Sequence, residues 1–299
     1  MSQTDPFLPG QGDEVPPTPP PPIYPVTSDI PPDSPHHTSP APSDRSNRGV
    51  LGGILAVLAA VVTKGGYVLV LLFKIPAAAT LITGAVSFGA YALVYGPWVA
   101  VAFVAMLFVH EMGHVLEIRR QGMQATAPIF IPFLGAAIFQ RSHPTSAVKQ
   151  AQIGIAGPIA GTVGATAAFA LYGATHNPVF LLAAAIGFGL NLLNLIPVWQ
   201  LDGAWILAPV SPWLQIAGFA MIAAGALFLH FVSFLLIIVA VLGVSTAIQR
   251  FRDANNPYYT SVPVGARWAL GLAWLALVVY LGVALVQTLG LLVLAPIAR

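Results

Sequence analysis

The sequence contains no cysteine and very little charge. Only 7% of its 299 residues are charged, whereas soluble domains carry about 25%. Without cysteine, the chain has neither a disulfide framework nor a thiolate metal site. Apolar residues make up 57% of the chain and form several runs long enough to cross a bilayer. The composition therefore predicts a polytopic membrane protein, and no nucleic-acid partner is expected.

The N-terminal end lacks the basic and apolar regions of a secretory signal, so no cleaved signal peptide is expected. Residues 1–48 hold 14 of the 27 prolines and six of the ten acidic residues. Such a tract cannot bury enough apolar surface to offset its ordering entropy. We predict a disordered, cytoplasmic tail. It can serve as a spacer, the interpretation we favour, or it can dock an adaptor domain through its polyproline segments.

Residues 49–75 are apolar but interrupted by Lys64. A single span would bury Lys64 near the bilayer centre, whereas an amphipathic segment at the interface lets its side chain reach water. If this segment does not cross and the N-terminus is cytoplasmic, eleven of the twelve basic residues lie on the cytoplasmic side, as the positive-inside rule favours. We therefore favour an interfacial segment over 49–75.

Residues 76–299 are predicted to form the transmembrane domain. Seven apolar segments are expected to cross the membrane, approximately at 77–95, 98–118, 151–174, 178–199, 213–229, 231–248 and 268–294. The predicted fold is all-α and polytopic, with about seven transmembrane helices. A short β-hairpin-like re-entrant segment is expected after the second helix.

The second apolar segment carries an H-E-x-x-H motif at residues 110–114. On a helix, His110 and His114 lie on one face, so both imidazoles can reach one metal ion. Glu111 lies beside that face, where it can hold a water molecule and take its proton. Ionisable residues inside a membrane span are costly and mark functional sites. If Arg119 marks the cytoplasmic boundary, His114 lies about 7 Å and His110 about 14 Å below it.

A tetrahedral zinc site needs a third protein ligand in addition to two histidines. Beyond the tail, the chain has four carboxylates: Glu111, Glu117, Asp202 and Asp253. Glu117 lies about 10 Å from His110 along the helix axis, too far to share its metal ion. Asp253 is expected in a solvated loop. Asp202 follows the fourth predicted span and returns to the cytoplasmic side, so it is the candidate ligand; the alternative is an aspartate that caps a turn.

Two further segments are candidates for the substrate-binding surface. After the second span, prolines oppose a helix, while β-branched and aromatic residues favour strands. We predict a re-entrant hairpin that can pair with an unwound substrate segment. Its candidate substrate-binding residues are Ile129, Ile131, Ala137 and Phe139. In the third span, Gly157 and Gly161 permit close helix approach; helix packing alone and a direct role near the metal are both open.

The H-E-x-x-H motif is followed downstream by Asn194-x-x-Pro197-x-x-x-Leu201-Asp202-Gly203. Together, the two motifs resemble those of the site-2 protease family of intramembrane zinc metalloproteases, and the resemblance covers about residues 77–207. It implies Zn²⁺ bound by His110, His114 and Asp202, with Glu111 as general base. It also implies that Asn194 positions the substrate or stabilises the oxyanion. The pair Gly157-x-x-x-Gly161 matches the family's small-residue motif.

The sequence therefore predicts an intramembrane zinc endopeptidase that hydrolyses a peptide bond within or near a transmembrane segment. The expected partners are a transmembrane protein or peptide substrate and the lipid bilayer. The alternative is a membrane metal-binding or transport protein that uses the same cluster. Transport needs no adjacent general base and usually involves internal repeats, which we do not find. A catalytically dead scaffold would have no use for Glu111.

Overall fold

The computed structural model describes residues 76–139, 142–228 and 234–294. The predicted tail (1–48) and the predicted interfacial segment (49–75) lie outside the described residues. The protein is mostly helical, with a small two-stranded antiparallel sheet.

The elements follow one another along the chain as helices joined by short connections. In order, they are α1 (Pro76–Tyr95), α2 (Pro97–Arg120), β1 (Ile129–Ile131), β2 (Gly135–Ala137), α3 (Ala147–Thr175), α4 (Pro178–Asn194), α5 (Asp202–Leu207), α6 (Trp213–Phe228), α7 (Phe234–Arg252), a 3-10 turn (Asp253–Asn255), α8 (Pro257–Thr260) and α9 (Val264–Leu294).

Four of the described helices, α1, α2, α3 and α9, are long and apolar enough to cross a membrane. Helices α4 and α6 are apolar but shorter, with 17 and 16 residues. The predicted span 178–199 ends as helix at Asn194, because Pro197 cannot donate a helical hydrogen bond and restricts the residue before it. The predicted span 231–248 begins outside the described residues and continues as α7. Seven transmembrane helices therefore stay a prediction.

The H-E-x-x-H helix α2 is set off from α1 by a glycine. Gly96 has a φ of 88°, in the left-handed region that glycine adopts without strain. Pro97 then opens α2 at a position where its missing N–H has no helical partner to lose. At the other end, Arg119 and Arg120 lie in the last turn, where positive charge complements the helix dipole.

Helices α2, α3 and α4 pack against one another, α1 lies beside α2, and α9 packs against α4. The approach of α2 to α3 depends on Gly113, because a Cβ there would lie 2.3 Å from the carbonyl oxygen of Ala156. This glycine is inside the H-E-x-x-H motif, so its absence of a side chain brings the motif histidines against α3.

The predicted hairpin after α2 is present. β1 and β2 are antiparallel, with Ile129 opposite Ala137 and Ile131 opposite Gly135. The turn between them includes Phe133 in a left-handed conformation (φ 63°). The outer edge of β1 is covered by α1, because Thr83 Oγ1 accepts a hydrogen bond from the Phe130 N–H (3.1 Å).

Candidate metal centre

Three side chains that the sequence analysis selected as ligands converge on one point. His110 Nε2 lies 3.2 Å from His114 Nε2. Asp202 Oδ2 lies 3.1 Å from His110 Nε2, and Asp202 Oδ1 lies 3.2 Å from His114 Nε2. His110 and Asp202 are buried, and the side chain of His114 is 12% exposed. The three residues form a group that could hold a metal ion.

Two separate elements bring these ligands together. Helix α2 places the histidines one turn apart, with their rings at 82° and their centroids 4.9 Å apart. Asp202 is the first residue of α5, after a chain reversal that begins at Leu195. The reversal is tight: a Cβ on Gly203 would lie 2.0 Å from the Leu195 carbonyl oxygen. A glycine directly after the aspartate is therefore a steric requirement of the turn that presents it.

His110 is oriented by a side chain of α4. Its Nδ1 lies 2.8 Å from Asn191 Oδ1, and both residues are buried. Asn191 Nδ2 donates to the Gly187 carbonyl oxygen (2.7 Å), which turns the amide oxygen toward the histidine. Because Asn191 offers an acceptor, the Nδ1 of His110 is the donor.

His114 is oriented in the same way by α3. Its Nδ1 lies 2.7 Å from the carbonyl oxygen of Ile153, which can only accept. In a neutral imidazole with a protonated Nδ1, the Nε2 atom is an acceptor. Both histidines therefore direct an Nε2 lone pair at the same point, as metal-ligating histidines with an oriented Nδ1 do.

The geometry of the donor atoms fits a tetrahedral metal ion. Two imidazole nitrogens and one carboxylate converge, and a cation between three such acceptors would offset their mutual repulsion. A regular tetrahedron with bonds of about 2.0 Å has edges of about 3.3 Å, close to the separations of 3.1–3.2 Å here. Among the described residues, Asp202 Oδ2 is buried without a hydrogen-bond partner. A metal ion would satisfy this oxygen.

Glu111 lies next to the ligand cluster. It is only 7% exposed and interacts electrostatically with His110, His114 and Asp202. A buried carboxylate beside a metal site can serve as a general base. The arrangement thus places a proton acceptor beside a metal-ligand group.

The comparison with known proteins agrees with this geometry. Residues 98–178 match the model of peptidase family M50. The match confirms the resemblance to the site-2 protease family, and together with the apolar helices it indicates an integral membrane metallopeptidase. No curated protein matches the chain. The M50 segment contains His110, Glu111 and His114 but ends before Asp202, so the match does not cover the third candidate ligand.

Gly157 and Gly161 of α3 lie directly against site residues, one in α2 and one in α4. A Cβ on Gly157 would lie 2.2 Å from His114 Nε2, and a Cβ on Gly161 would lie 2.2 Å from Asn191 Oδ1. The two interpretations of this pair, helix packing and a role near the metal, therefore describe the same contact. Their part in substrate binding stays a prediction.

Sequence reasoning missed Asn191 and the Ile153 carbonyl group. Asn191 is a polar residue in an apolar helix, and its Oδ1 lies 2.8 Å from His110 Nδ1. Asn194 instead donates from Nδ2 to the carbonyl oxygen of Leu190 in its own helix (3.1 Å). Its catalytic role stays a prediction. The sequence signal that could have found Asn191 is its polar side chain in an otherwise apolar predicted span.

The predicted substrate-binding residues of the hairpin lie close together. Ile129 and Ala137 face each other across the sheet and are half-buried. Ile131 and Phe139 are exposed, at 41% and 58%. Strand β2 lies against α2, the helix that carries the histidines.

Proposed function

We propose that this protein is an intramembrane zinc endopeptidase that cleaves a membrane protein within or near a transmembrane segment. The observation that carries the proposal is the convergence of His110, His114 and Asp202, with Glu111 beside them. The two histidines and Glu111 lie on α2, which is itself a candidate membrane span. Buried ionisable residues in such a helix are costly unless they serve a function. The M50 match over the same helix supports a peptidase.

The role that we propose for each site residue follows from its chemistry. A zinc ion held there would polarise the scissile carbonyl group and make the attacking water more acidic. Asn191 and the Ile153 carbonyl group fix the tautomers of the two histidines, and Asp202 contributes the anionic ligand. Glu111 takes a proton from the attacking water and delivers it to the leaving amide nitrogen. Asn194 is proposed to position the substrate or stabilise the oxyanion.

A substrate helix hides its amides in its own hydrogen bonds, so it must unwind before attack. We propose that the unwound segment pairs with the outer edge of β2. The Phe130 N–H points away from β2, toward Thr83. By the alternation of an antiparallel pair, the N–H groups of Ala136 and Ile138 then point away from β1. Strand β2 also contacts α2, while α1 covers the outer edge of β1.

The membrane placement is part of the proposal. Arg119 and Arg120 end α2 and are both exposed. We place them at the cytoplasmic boundary, which puts the metal about 7–14 Å below it at 1.5 Å per residue. The hairpin would then be re-entrant from the cytoplasmic side, and the N-terminus cytoplasmic.

A metal-transport function is less well supported. A transit pathway needs successive ligand groups, and the part of the chain that the structure describes contains one such group. The adjacent Glu111 has a role in hydrolysis and none in metal transit.

The test is cleavage of a library of candidate single-span membrane substrates by the wild-type protein and by Glu111→Gln. We expect products from wild type and none from the variant, with equal zinc content in both. Equal product formation by Glu111→Gln would overturn the proposed general base. Absence of products from both, with zinc bound in both, would favour a metal-binding function.

A further inference from the structure

The segment 195–210 joins α4 to α6 and carries Asp202, and it lies outside the M50 match at 98–178. Its helix α5 has only six residues. So short a helix is not stable by itself and depends on tertiary contacts for its position.

Helix α9 contacts both ends of this segment. Trp274 Nε1 donates to the Leu195 carbonyl oxygen (2.8 Å), at the start of the chain reversal. Arg267 Nη1 donates to the Val210 carbonyl oxygen (3.1 Å), beyond the end of α5. Arg267 and Trp274 are seven residues apart, so they lie on one face of α9 and about 10 Å apart along its axis. One helix face thus fixes the separation of the two ends.

Helix α7 supplies a third contact. Arg250 donates from Nε and Nη2 to the Ala208 carbonyl oxygen, at 3.0 and 2.8 Å. Ala208 is the C-cap of α5, whose last carbonyl groups have no helical partner. Arg250 is 5% exposed, and its guanidinium group lies 3.7 Å from the centroid of the Tyr259 ring. A charged, bidentate donor held this way makes a strong and directional contact.

We propose that Arg250, Arg267 and Trp274 are positioning residues for the third metal ligand. They hold α5 so that Asp202 reaches the two histidines, and the C-terminal helices are therefore part of the metal site. The two histidines are oriented by other groups, Asn191 and the Ile153 carbonyl group. Loss of the contacts from Arg250, Arg267 or Trp274 should therefore affect the position of Asp202 alone. The proposal rests on the metal site of the proposed function.

The test uses the purified full chain in detergent, stripped of metal and titrated with Zn²⁺ against a chelating competitor. Trp274→Phe keeps the aromatic packing and removes the N–H donor, and Trp268→Phe on the same helix is the control because Trp268 is 68% exposed. Arg250→Gln is paired with Arg252→Gln, since Arg252 is exposed. We expect zinc affinity to fall about 10–100-fold in Trp274→Phe and Arg250→Gln, and not in the controls. Arg250→Lys, which keeps a donor, should recover part of the loss.

Repeating the titration in a second variant, Asp202→Ala, separates a positioning role from general destabilisation of the protein. In Asp202→Ala, only the histidine pair remains, and adding Trp274→Phe should not weaken the residual zinc binding further, because the two changes act through one residue. An equal loss in both backgrounds, or wild-type affinity in Trp274→Phe, would overturn the positioning role. If the wild-type chain bound no zinc, the proposed function itself would fail. Trp274→Phe carries the test if Arg250→Gln does not fold.

Discussion

Each histidine of the metal centre is oriented by one hydrogen bond on the ring nitrogen that faces away from the ligand cluster. His110 uses Asn191 of α4, and His114 uses a carbonyl group of α3. Such partners set the tautomer and the ring angle, and their removal typically lowers metal affinity about 10–100-fold. Affinity should therefore depend on residues that never touch the metal.

Variants of two asparagines three residues apart can test the orientation of His110 separately from the proposed role of Asn194 in catalysis. Asn191→Ala removes the acceptor of His110, so zinc affinity should fall about 10–100-fold. Asn194→Ala is the matched comparison, because its side chain bonds Leu190 of its own helix. It should leave zinc affinity unchanged and lower turnover if Asn194 acts on the substrate. Competition titration and a cleavage assay give both readouts. Unchanged zinc affinity in Asn191→Ala would contradict the assigned tautomer.

A methyl group at Gly157 should disrupt the site directly. The added Cβ would lie 2.2 Å from His114 Nε2, so Gly157→Ala must displace the imidazole or separate α2 from α3. We expect loss of bound zinc and a destabilisation of about 1–3 kcal/mol. Gly173→Ala is the control on the same helix, where a Cβ meets nothing within 4 Å. It should keep its zinc and be slightly stabilised, by about 0.5–1 kcal/mol. Zinc content and thermal unfolding check both variants.

At the scale of the element, the long helices were predictable and the short one was not. The predicted segment 98–118 lies within α2, because apolar residues run without a break from Trp98 to Val109 and no proline interrupts the chain before the helix ends at Arg120. Helix α5 has no comparable signal, since its six residues are placed by contacts from Arg250, Arg267 and Trp274. The small number of carboxylates and the predicted topology selected Asp202 as the candidate ligand, but they could not show what holds it.

The sequence also could not show in which direction the polar side chains of α4 point. Asn191 and Asn194 differ by about 60° in direction around α4, at 3.6 residues per turn. A span that is apolar on every side offers no periodic pattern to show which face meets α2. Only the packing of α4 against α2 and α3 decides that Asn191 reaches His110.

The hairpin gives a prediction about backbone pairing. Ile138→Pro removes an N–H that points to the outer edge of β2 and leaves the metal ligands unchanged. If that edge holds the substrate, turnover should fall while zinc content stays constant. Ile138→Ala, which keeps the N–H, should retain most of the turnover. Helix-destabilising residues in the substrate span should raise the cleavage rate. Indifference of cleavage to Ile138→Pro would contradict strand pairing but leave the metal assignment intact.

At the scale of the whole molecule, basic residues mark one end of several helices. Arg119 and Arg120 close α2, Lys149 lies in the first turn of α3, and Arg250 and Arg252 close α7. This arrangement is the one expected if these ends share the cytoplasmic side.

The chain's lack of cysteine makes this topology testable by thiol labelling in intact cells. A cysteine at exposed Ser142 should resist an impermeant reagent, whereas one at exposed Ala174, near the far end of α3, should react. Ser146 is avoided because its side chain caps α3 at the Lys149 N–H. A cysteine at Ser43 in the tail should also be protected. Labelling of Ser142→Cys from outside would invert the proposed orientation.

The central claim is that one zinc ion is held by His110, His114 and Asp202, and that Glu111 acts on water rather than on the metal. Its most direct test is the zinc-to-protein ratio of purified wild type, Glu111→Gln and Asp202→Ala. We predict one zinc per chain in wild type and in Glu111→Gln, and well below one in Asp202→Ala, whose histidine pair keeps only weak residual affinity. Full zinc occupancy in Asp202→Ala would contradict the assignment of the third ligand.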